Sequence, residues 1–334
     1  MSERHRGRIK WFNRQKGFGL IQTDSIEDDI FLHESKVPDH LLSHLQEGDR
    51  VSFVAHPTNR RPEARDAWFP GRIPLFSQRG AALLRNENAH CGLLFDKFCN
   101  QWEQHRNVDP KKWQGLGDHG KWEWLSEFDG RAVGNSALIT EHLRRRRQLI
   151  DARDGQRLTV QSTSRFVTGL GLAHPVENGF RWHHTLGVPC LPGSSVKGMM
   201  RHWVIDWRGE EEDALRLFGN NEDEQMGAGD LLFFDALPTE PPRLTVDVMT
   251  PHYGPWYQKG PQGDEVPADW HSPPPIPFLV VEAGAEFEFA LAPRPGREVK
   301  LDQAAAWLKE ALQQIGAGAK TAVGYGRFTE ASCG

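Results

Sequence analysis

The feature that most constrains the fold of this chain is a series of short strand-like runs in its first 69 residues. Turn-forming residues such as Gly and Asp cluster between the runs. The runs are Arg8–Asn13, Gly17–Thr23, Asp29–His33, Arg50–His56 and a fifth at Arg65–Phe69. Short strands at close spacing are typical of a small closed barrel. The sequence therefore predicts a five-stranded β-barrel as a first domain over residues 1–69.

The pattern of apolar residues changes after this region. Four segments carry helix-like periodicity, broken by loops that contain Gly, Asn or Pro. These segments are Ala81–Leu84, Leu93–Trp102, Trp122–Phe128 and Ser136–Leu149. We therefore expect residues 70–153 to form a helical connecting segment that packs on the domain that follows.

Residues 154–334 mix strand and helix patterns. Ser194 is expected to cap a helix that runs to about Arg208, and Asp302 a second helix. The predicted strands are Leu158–Gly169, Leu231–Leu237, Leu244–Met249, Phe278–Glu282, Phe287–Leu291 and Thr321–Thr329. This β-α-β-β-α-β order predicts a ferredoxin-like or RRM-like unit, and with the barrel an α+β protein. The Pro- and Gly-rich stretch Thr250–Pro277 is too long for an ordinary hairpin loop and is expected to be functional.

Composition limits the classes of function. The formal net charge is −5, which excludes a wholly basic RNA-coating protein, so any contact with nucleic acid must come from local patches. The N-terminus has no apolar signal core, and no apolar run is long enough to span a membrane. The four cysteines form no CxxC pair, which argues against a disulfide scaffold and a structural zinc site. These observations predict a cytoplasmic protein.

Three consecutive blocks of the N-terminal region closely resemble the cold-shock domain, a five-stranded OB-type barrel. The blocks are Gly7–Asn13, Lys16–Ile21 and Asp29–His33. Strand alternation places Phe18 and Leu20 on one face, and Phe31 and His33 on one face of the neighbouring strand, where bases can stack. The resemblance assigns nucleic-acid contacts to Lys10, Trp11, Lys16, Phe18, Phe31 and His33.

Two positions depart from the cold-shock pattern. Leu20 and Glu34 stand where that family usually has aromatic side chains, so we expect weaker binding of single strands. The alternative is that the remaining aromatic residues form the core of an adaptor barrel that no longer binds RNA.

Three blocks of the C-terminal region resemble the RAMP superfamily of CRISPR-associated proteins. They are Thr168–His183, Leu186–Gly198 and the G-x-G-x5-G-x-G loop Gly316–Gly326. Asp247–Tyr253 and Pro267–Trp270 also resemble the sixth RAMP subunit of the type III-B (Cmr) effector complex. The resemblance covers about half of the chain.

These motifs suggest how RNA could be held. Gly193, Ser194 and Ser195 begin a helix, where free N–H groups and the helix dipole favour a phosphate. Lys197 and Arg201 lie four residues apart, so they share one side of the predicted helix. Arg208 is expected at a similar angle around the helix axis, which predicts a basic stripe on that side. Gly316, Gly318, Gly324 and Gly326 would let the backbone approach RNA closely, with Lys320 and Arg327 nearby for charge.

The resemblance implies a non-catalytic backbone or capping subunit of a CRISPR effector. Such a subunit would hold guide RNA near its 3′ end, pack against other RAMP-type subunits, and need no cofactor or metal. The cold-shock domain would capture single-stranded guide or target RNA. A processing endoribonuclease of RAMP type and a free-standing RNA chaperone stay open as alternatives.

Two clusters of chemically active side chains bear on these alternatives. His174, His183 and His184 could hold a metal or supply a general base, but loop-ordering roles are commoner, and residues 272–334 contain no histidine. The run Arg144–Arg147 could bind RNA, and we favour a solvated face balanced by neighbouring acids.

Overall fold

The fold was derived from a computed structural model of the chain. It describes residues 4–37, 42, 45–58, 61–69, 89–99, 101, 116–220, 227–254, 256, 260, 266 and 273–331. The chain divides into two compact units, here called unit 1 (residues 1–81 and 99–123) and unit 2 (residues 82–98 and 124–334). The predicted helix Ala81–Leu84 and much of Thr250–Pro277 lie outside the described residues. The domain boundaries at residues 69 and 153 stay predictions.

Unit 1 contains the predicted barrel. Its strands are β1 (Arg4–Asn13), β2 (Phe18–Gln22), β3 (Ile30–His33), β4 (Arg50–His56) and β5 (Glu63–Trp68), with a 3-10 turn at Glu34–Lys36. They close in the order β1-β2-β3-β5-β4, and every pair is antiparallel except β3 with β5. Alternate residues of the strands point inward and form one apolar core that includes Ile9, Ile21, Ile30, Leu32 and Phe53. The five-stranded barrel prediction is confirmed.

The rest of the described chain forms helices and further strands. The helices are α1 (Cys91–Lys97), α2 (Asp118–Ser126), α3 (Ser136–Asp151), α4 (Gly193–His202), α5 (Glu211–Phe218) and α6 (Leu301–Gln314), with a π-helix at Trp203–Trp207 and a 3-10 turn at Thr321–Val323. The strands are β6 (Gln156–Ser162), β7 (Ala173–His174), β8 (Glu177–Asn178), β9 (Gly219–Asn220), β10 (Gly227–Ala228), β11 (Leu231–Phe233), β12 (Leu237–Pro238), β13 (Leu244–Met249), β14 (Ile276–Val281), β15 (Glu286–Pro293) and β16 (Phe328–Glu330).

The main sheet of unit 2 has the strand order β11-β15-β6-β16, with every neighbouring pair antiparallel. Helix α4 connects β6 to β11, and α6 connects β15 to β16. This is the β-α-β-β-α-β arrangement of a ferredoxin-like fold. Strands β13 and β14 pair with each other as a separate hairpin between β11 and β15. The α+β prediction is confirmed.

Several predicted element ends were wrong for identifiable reasons. The strand predicted over Leu158–Gly169 ends at Ser162, and the last strand is only Phe328–Glu330. Before it, the chain forms a 3-10 turn between Lys320 and Gly324, both in the left-handed conformation. That conformation cannot continue a strand.

Both predicted helix caps were also wrong. Helix α4 starts one residue before Ser194, and the carboxylate of Asp235 accepts a hydrogen bond from the Gly193 N–H at 2.8 Å. Helix α6 is preceded by Lys300, so Asp302 lies in its first turn, where it accepts a hydrogen bond from Gln156. At the start of α4, the distant side chain of Asp235 therefore takes the place of a local N-cap side chain.

Candidate nucleic-acid interface

The aromatic residues predicted to bind bases lie together on the barrel. The ring centroids of Phe18 and Phe31 are 5.7 Å apart in a stacked arrangement, and those of Trp11 and Phe18 are 5.8 Å apart, edge to face. Trp11 is 39% exposed, and Phe18 and Phe31 are half-buried. Strand pairing sets His33 opposite Phe18. We call Trp11, Phe18, Phe31 and His33 the barrel face.

A β-bulge in β1 explains why Lys10 and Trp11 are both exposed. The pairing of β1 with β2 shifts between Ile9 and Trp11, so Lys10 is the extra residue. Without the bulge, adjacent residues would point to opposite sides of the strand. The bulge therefore sets a cation beside the indole ring.

The charges around the barrel face are mixed. The ammonium group of Lys10 forms an ion pair with Asp29 at 2.8 Å, so a phosphate would compete with that carboxylate. Lys16 is exposed and forms no ion pair within the described part of the chain. His33 Nδ1 accepts a hydrogen bond from the Ser35 N–H at 3.2 Å, which leaves its Nε2 as the donor when the ring is neutral.

The two departures from the cold-shock pattern have clear structural consequences. Leu20 pairs with Trp11 on one side and with Phe31 on the other, and it is only 8% exposed, so it offers little stacking surface. The carboxylate of Glu34 lies against the backbone of Gly17, where an added Cβ would meet it at 2.5 Å. The barrel face keeps three aromatic rings but gains a negative charge at one end.

In unit 2, the glycine-rich loop has the backbone that its sequence predicted. Gly316, Gly318, Gly324 and Gly326 all have positive φ angles, between 67° and 97°. A side chain at Gly326 would collide with the carbonyl of Ala317, and one at Gly318 with the carbonyl of Val167. Arg327, predicted to supply charge, donates instead to the carbonyl of Ile315 and so holds the loop closed.

Two of the predicted RNA-binding motifs meet in one cleft of about 490 Å³, here called the glycine cleft. Its lining comes from the loop after β6, one face of α4 and the loop after α6. The lining residues are Thr168, Gly169, Leu170, Gly171, Leu191, Ser195, Gly198, Met199, His202, Ile315, Gly316, Gly318, Ala319 and Thr321. None of these described residues is acidic, and five are glycines. The cleft thus brings several glycines next to a ligand, and none of its described lining residues would repel a phosphate.

The predicted basic stripe does not line this cleft. Ser195, Gly198, Met199 and His202 share one face of α4, whereas Lys197 lies about 200° around the helix from Ser195. Arg201 lies near Lys197, on the same side. Arg208 follows the π-helix and pairs with Glu210 at 2.9 Å and with Glu310 at 3.1 Å. The prediction that Arg208 continues the stripe was wrong, because the π-helix changes the angle and two carboxylates hold the guanidinium.

A polar network beside the glycine loop was not found from the sequence. Arg165 and the Tyr325 hydroxyl both donate to Asp247 Oδ2, at 2.7 and 2.6 Å. Burial raises the pKa of the Asp247 carboxyl, but hydrogen bonds from Tyr325, Arg165 and the Val248 N–H outweigh it, and the pKa lies below its usual range. Burial and the bond to Asp247 raise the pKa of Tyr325 to about 12. Tyr325 and Arg165 lie 78 and 82 residues from Asp247 in the sequence, so no local pattern predicts these hydrogen bonds.

Lys320 has a defined environment in the same region. Its ammonium group lies 5.6 Å from the ring centroid of Phe278 and 6.0 Å from that of Tyr325. Such cation–π contacts hold a lysine without neutralising it. Lys320 therefore supplies a positive charge next to the glycine loop.

Two of the three histidines raised as possible catalytic groups, His174 and His183, have structural contacts. The His174 ring stacks on Phe95 at 4.1 Å, its Nε2 donates to the Phe95 carbonyl, and its Nδ1 accepts from the Val176 N–H. His183 Nδ1 accepts from the Leu186 N–H at 3.3 Å. Among the described residues, no three His, Cys, Asp or Glu side chains are grouped to hold a metal ion, and no helix could cross a membrane.

Two family models match the chain. A model described as the 'Cold-shock' DNA-binding domain matches residues 5–69, which include the barrel. The model of the RAMP superfamily matches residues 159–329, just over half of the chain, and includes the glycine cleft. The chain belongs to the RAMP superfamily. It is a RAMP protein with a cold-shock domain at its N-terminus.

Individual relatives agree with both matches. The CRISPR system Cmr subunit Cmr6 of Pyrococcus furiosus is 32% identical, over 51% of this RAMP protein and 66% of its own length, just under two thirds. The major cold shock protein CspA of Bacillus cereus is 42% identical over 18% of this chain and 88% of its own. A chain in a structure described as the type III-B Cmr-beta bound to cognate target RNA shares the fold, with a TM-score of 0.51 at 22% identity over 63% of this chain and 71% of its own.

Proposed function

We propose that this RAMP protein is a non-catalytic RNA-binding subunit of a type III CRISPR effector complex. In this proposal the glycine cleft holds guide RNA near its 3′ end, and the cold-shock domain binds single-stranded RNA. Other RAMP-type subunits of the complex are its protein partners. The similarity to Cmr6 supports the kind of complex, and the site itself supports the ligand.

The observation that carries the proposal is the meeting of two motifs in one acid-free cleft. The start of α4 and the glycine loop contribute to the same lining, although they are more than 100 residues apart in the sequence. Glycines without side chains allow a polynucleotide backbone to lie close to the protein backbone. Lys320 beside the loop supplies a cation for a phosphate.

The cold-shock part of the proposal depends on stacking. Three aromatic rings lie side by side on the barrel face, and each stacked base contributes about 1–3 kcal/mol in comparable proteins. The carboxylates of Asp29 and Glu34 oppose phosphate binding nearby. We therefore expect binding that depends on the rings more than on charge.

Purification of the tagged protein from its native host tests the proposal. Co-purification of other RAMP-type subunits with a discrete class of CRISPR-derived RNAs is the expected result. A protein that emerges alone with mixed cellular transcripts would contradict the effector role and favour the free-standing RNA chaperone.

The barrel face is tested by replacing Trp11, Phe18 and Phe31 together with Ala. Loss of stacking should weaken binding of a labelled single-stranded RNA roughly tenfold or more, measured by fluorescence anisotropy. Trp207→Ala is the matched control, because Trp207 is 61% exposed but lies in unit 2. Equal affinities for the triple variant and the parent would refute RNA binding by these rings.

The endoribonuclease alternative is tested by incubating the purified chain with CRISPR repeat RNA in the presence of a chelator. The non-catalytic proposal expects intact RNA after prolonged incubation. A single defined cut that is lost in His183→Ala would contradict it.

A further inference from the structure

A second cavity in unit 2, of about 570 Å³, shares no lining residue with the glycine cleft. Helix α3 forms one wall, and His183 and the stretch Phe233–Leu237 form the others. We call it the α3 pocket. Its volume falls in the range of pockets that bind small molecules.

The α3 pocket is rich in guanidinium groups. Arg145 lines it from an exposed position and pairs with Glu141 at 2.7 Å, a surface pair that costs little to exchange for another anion. Arg146 is only 8% exposed and donates to the carbonyls of Asp235 and Glu288. Its Nε–H is buried and has no hydrogen-bond partner, which is a rare and costly state for a charged group. That nitrogen is closed off from solvent, so the guanidinium that a ligand in the pocket can reach is that of Arg145.

Two imidazoles meet at the same place. The ring centroids of His142 and His183 are 4.9 Å apart, nearly perpendicular. Burial lowers the pKa of both rings, and the positive Arg146 and Arg145 lower that of His142 further. Asp235 also lines the pocket, and its carboxylate already accepts a hydrogen bond from the Gly193 N–H. A bound anion would complement this group of donors.

The remaining lining is apolar and comes from Leu149, Phe233, Phe234 and Leu237. Leu149 lines the pocket and is 52% exposed, so its side chain is open to a ligand. Phe233 and Phe234 are half-buried and line it from β11 and the residue after it. A nucleotide combines a flat base, which can pack on such an apolar wall, with a phosphate attached through its sugar.

We propose that the α3 pocket is a nucleotide-binding site, with the phosphate beside Arg145 and the two imidazoles and the base against Leu149 and Phe234. The nucleotide is either a free mononucleotide or an unstacked nucleotide of an RNA strand. The site is separate from the glycine cleft, so it stands whether or not the cleft binds guide RNA.

Isothermal titration of the full-length protein with AMP tests the site. Arg145→Ala should weaken AMP binding roughly tenfold, because a charge-assisted hydrogen bond is lost. Arg144→Ala is the matched control: Arg144 also pairs with Glu141 but does not line the pocket, so AMP affinity should stay within about twofold. Leu149→Ala should weaken AMP but leave inorganic phosphate unaffected.

Competition with a trinucleotide RNA separates the two sources. If the trinucleotide displaces AMP from the parent, and Arg145→Ala weakens the binding of both, the pocket holds a nucleotide of an RNA strand. AMP binding that the trinucleotide does not disturb identifies a free nucleotide. Three results would overturn the proposal: no AMP binding at low millimolar concentration, equal effects of Arg144→Ala and Arg145→Ala, or inorganic phosphate binding as tightly as AMP.

Discussion

Replacing Gly198 with Ala should affect protein stability and RNA binding in opposite directions. Gly198 lies in the middle of α4, is exposed and lines the glycine cleft. An added Cβ at this position would meet no atom of the protein within 4 Å. The fold of this chain therefore gives no steric reason for a glycine there.

The effect on stability follows from helix propensity. Glycine inside a helix is less favourable than alanine by about 0.5–1 kcal/mol. For a domain of the size of unit 2, that gain corresponds to a rise of about 1–4 °C in melting temperature. Differential scanning calorimetry of the parent and Gly198→Ala measures it.

The effect on RNA binding follows from the position of the new methyl group. If an RNA strand packs against the Gly198 Cα, the methyl group intrudes into that contact at a cost of about 1–3 kcal/mol. The affinity for a labelled single-stranded guide RNA should fall roughly fivefold or more. A stability gain combined with an affinity loss cannot come from misfolding.

Thr140→Ala provides the control. Thr140 is exposed in α3, does not line the glycine cleft, and its replacement also raises helix propensity, by about half a kcal/mol. We expect it to raise the melting temperature and leave RNA affinity unchanged. Gly198→Ala with a raised melting temperature and the affinity of the parent would refute RNA contact at this turn of α4.

Three further expectations concern stability. Gly326→Ala should lower the free energy of unfolding by more than about 2 kcal/mol, measured by chemical denaturation. The φ angle of Gly326 is positive, and the added methyl group would collide with the Ala317 carbonyl. An unchanged free energy of unfolding would contradict the described loop. Glu288→Ala should cost about 3–5 kcal/mol, since it removes the buried carboxylate that pairs with Arg147 and lies 3.8 Å from the buried Arg146, whereas Glu141→Ala on the surface should cost much less; similar losses would refute the distinction. The lowered pKa of Asp247 means that its contribution is present above the unfolded-state pKa and is lost as pH falls through the folded-state pKa. Tyr325→Phe moves the folded-state pKa back towards the unfolded-state value, so its melting temperature should be lower at pH 7 and should fall by less between pH 7 and 3 than that of the parent; identical profiles would exclude the hydrogen bond from Tyr325 as a cause of the lowered pKa.

The barrel could be predicted closely because its signals are local. Alternating apolar residues and turn residues place β1 to β4 within a few residues of their observed ends, and the same alternation brings Phe18, Phe31 and His33 to one face. The bulge that exposes Lys10 beside Trp11 could not be predicted, because the alternation of apolar and polar residues does not show where a bulge lies. The positions in the glycine loop were predictable for a related reason, since glycine is the residue that adopts positive φ at little cost.

The arrangement of unit 2 beyond its elements could not be predicted in the same way. The sequence supported Lys197 and Arg201 as part of an RNA site, but the glycine cleft uses the other face of α4. The run Arg144–Arg147 was interpreted as a solvated face; Arg144 and Arg145 fit that view, whereas Arg146 is buried against β15 and the residues after β11. Which face of a helix is covered depends on the partner that packs on it.

The sequence by itself determined the order of elements, the two families of motif and the residues that form the barrel face and glycine loop. These depend on conformational preferences of a few consecutive residues. Only the tertiary structure decided that Asp235 caps α4, that Asp247 joins Arg165 to Tyr325, and that His142 meets His183. Each of these contacts joins residues more than 40 positions apart, and their proximity follows from sheet pairing and helix packing, which no local pattern encodes.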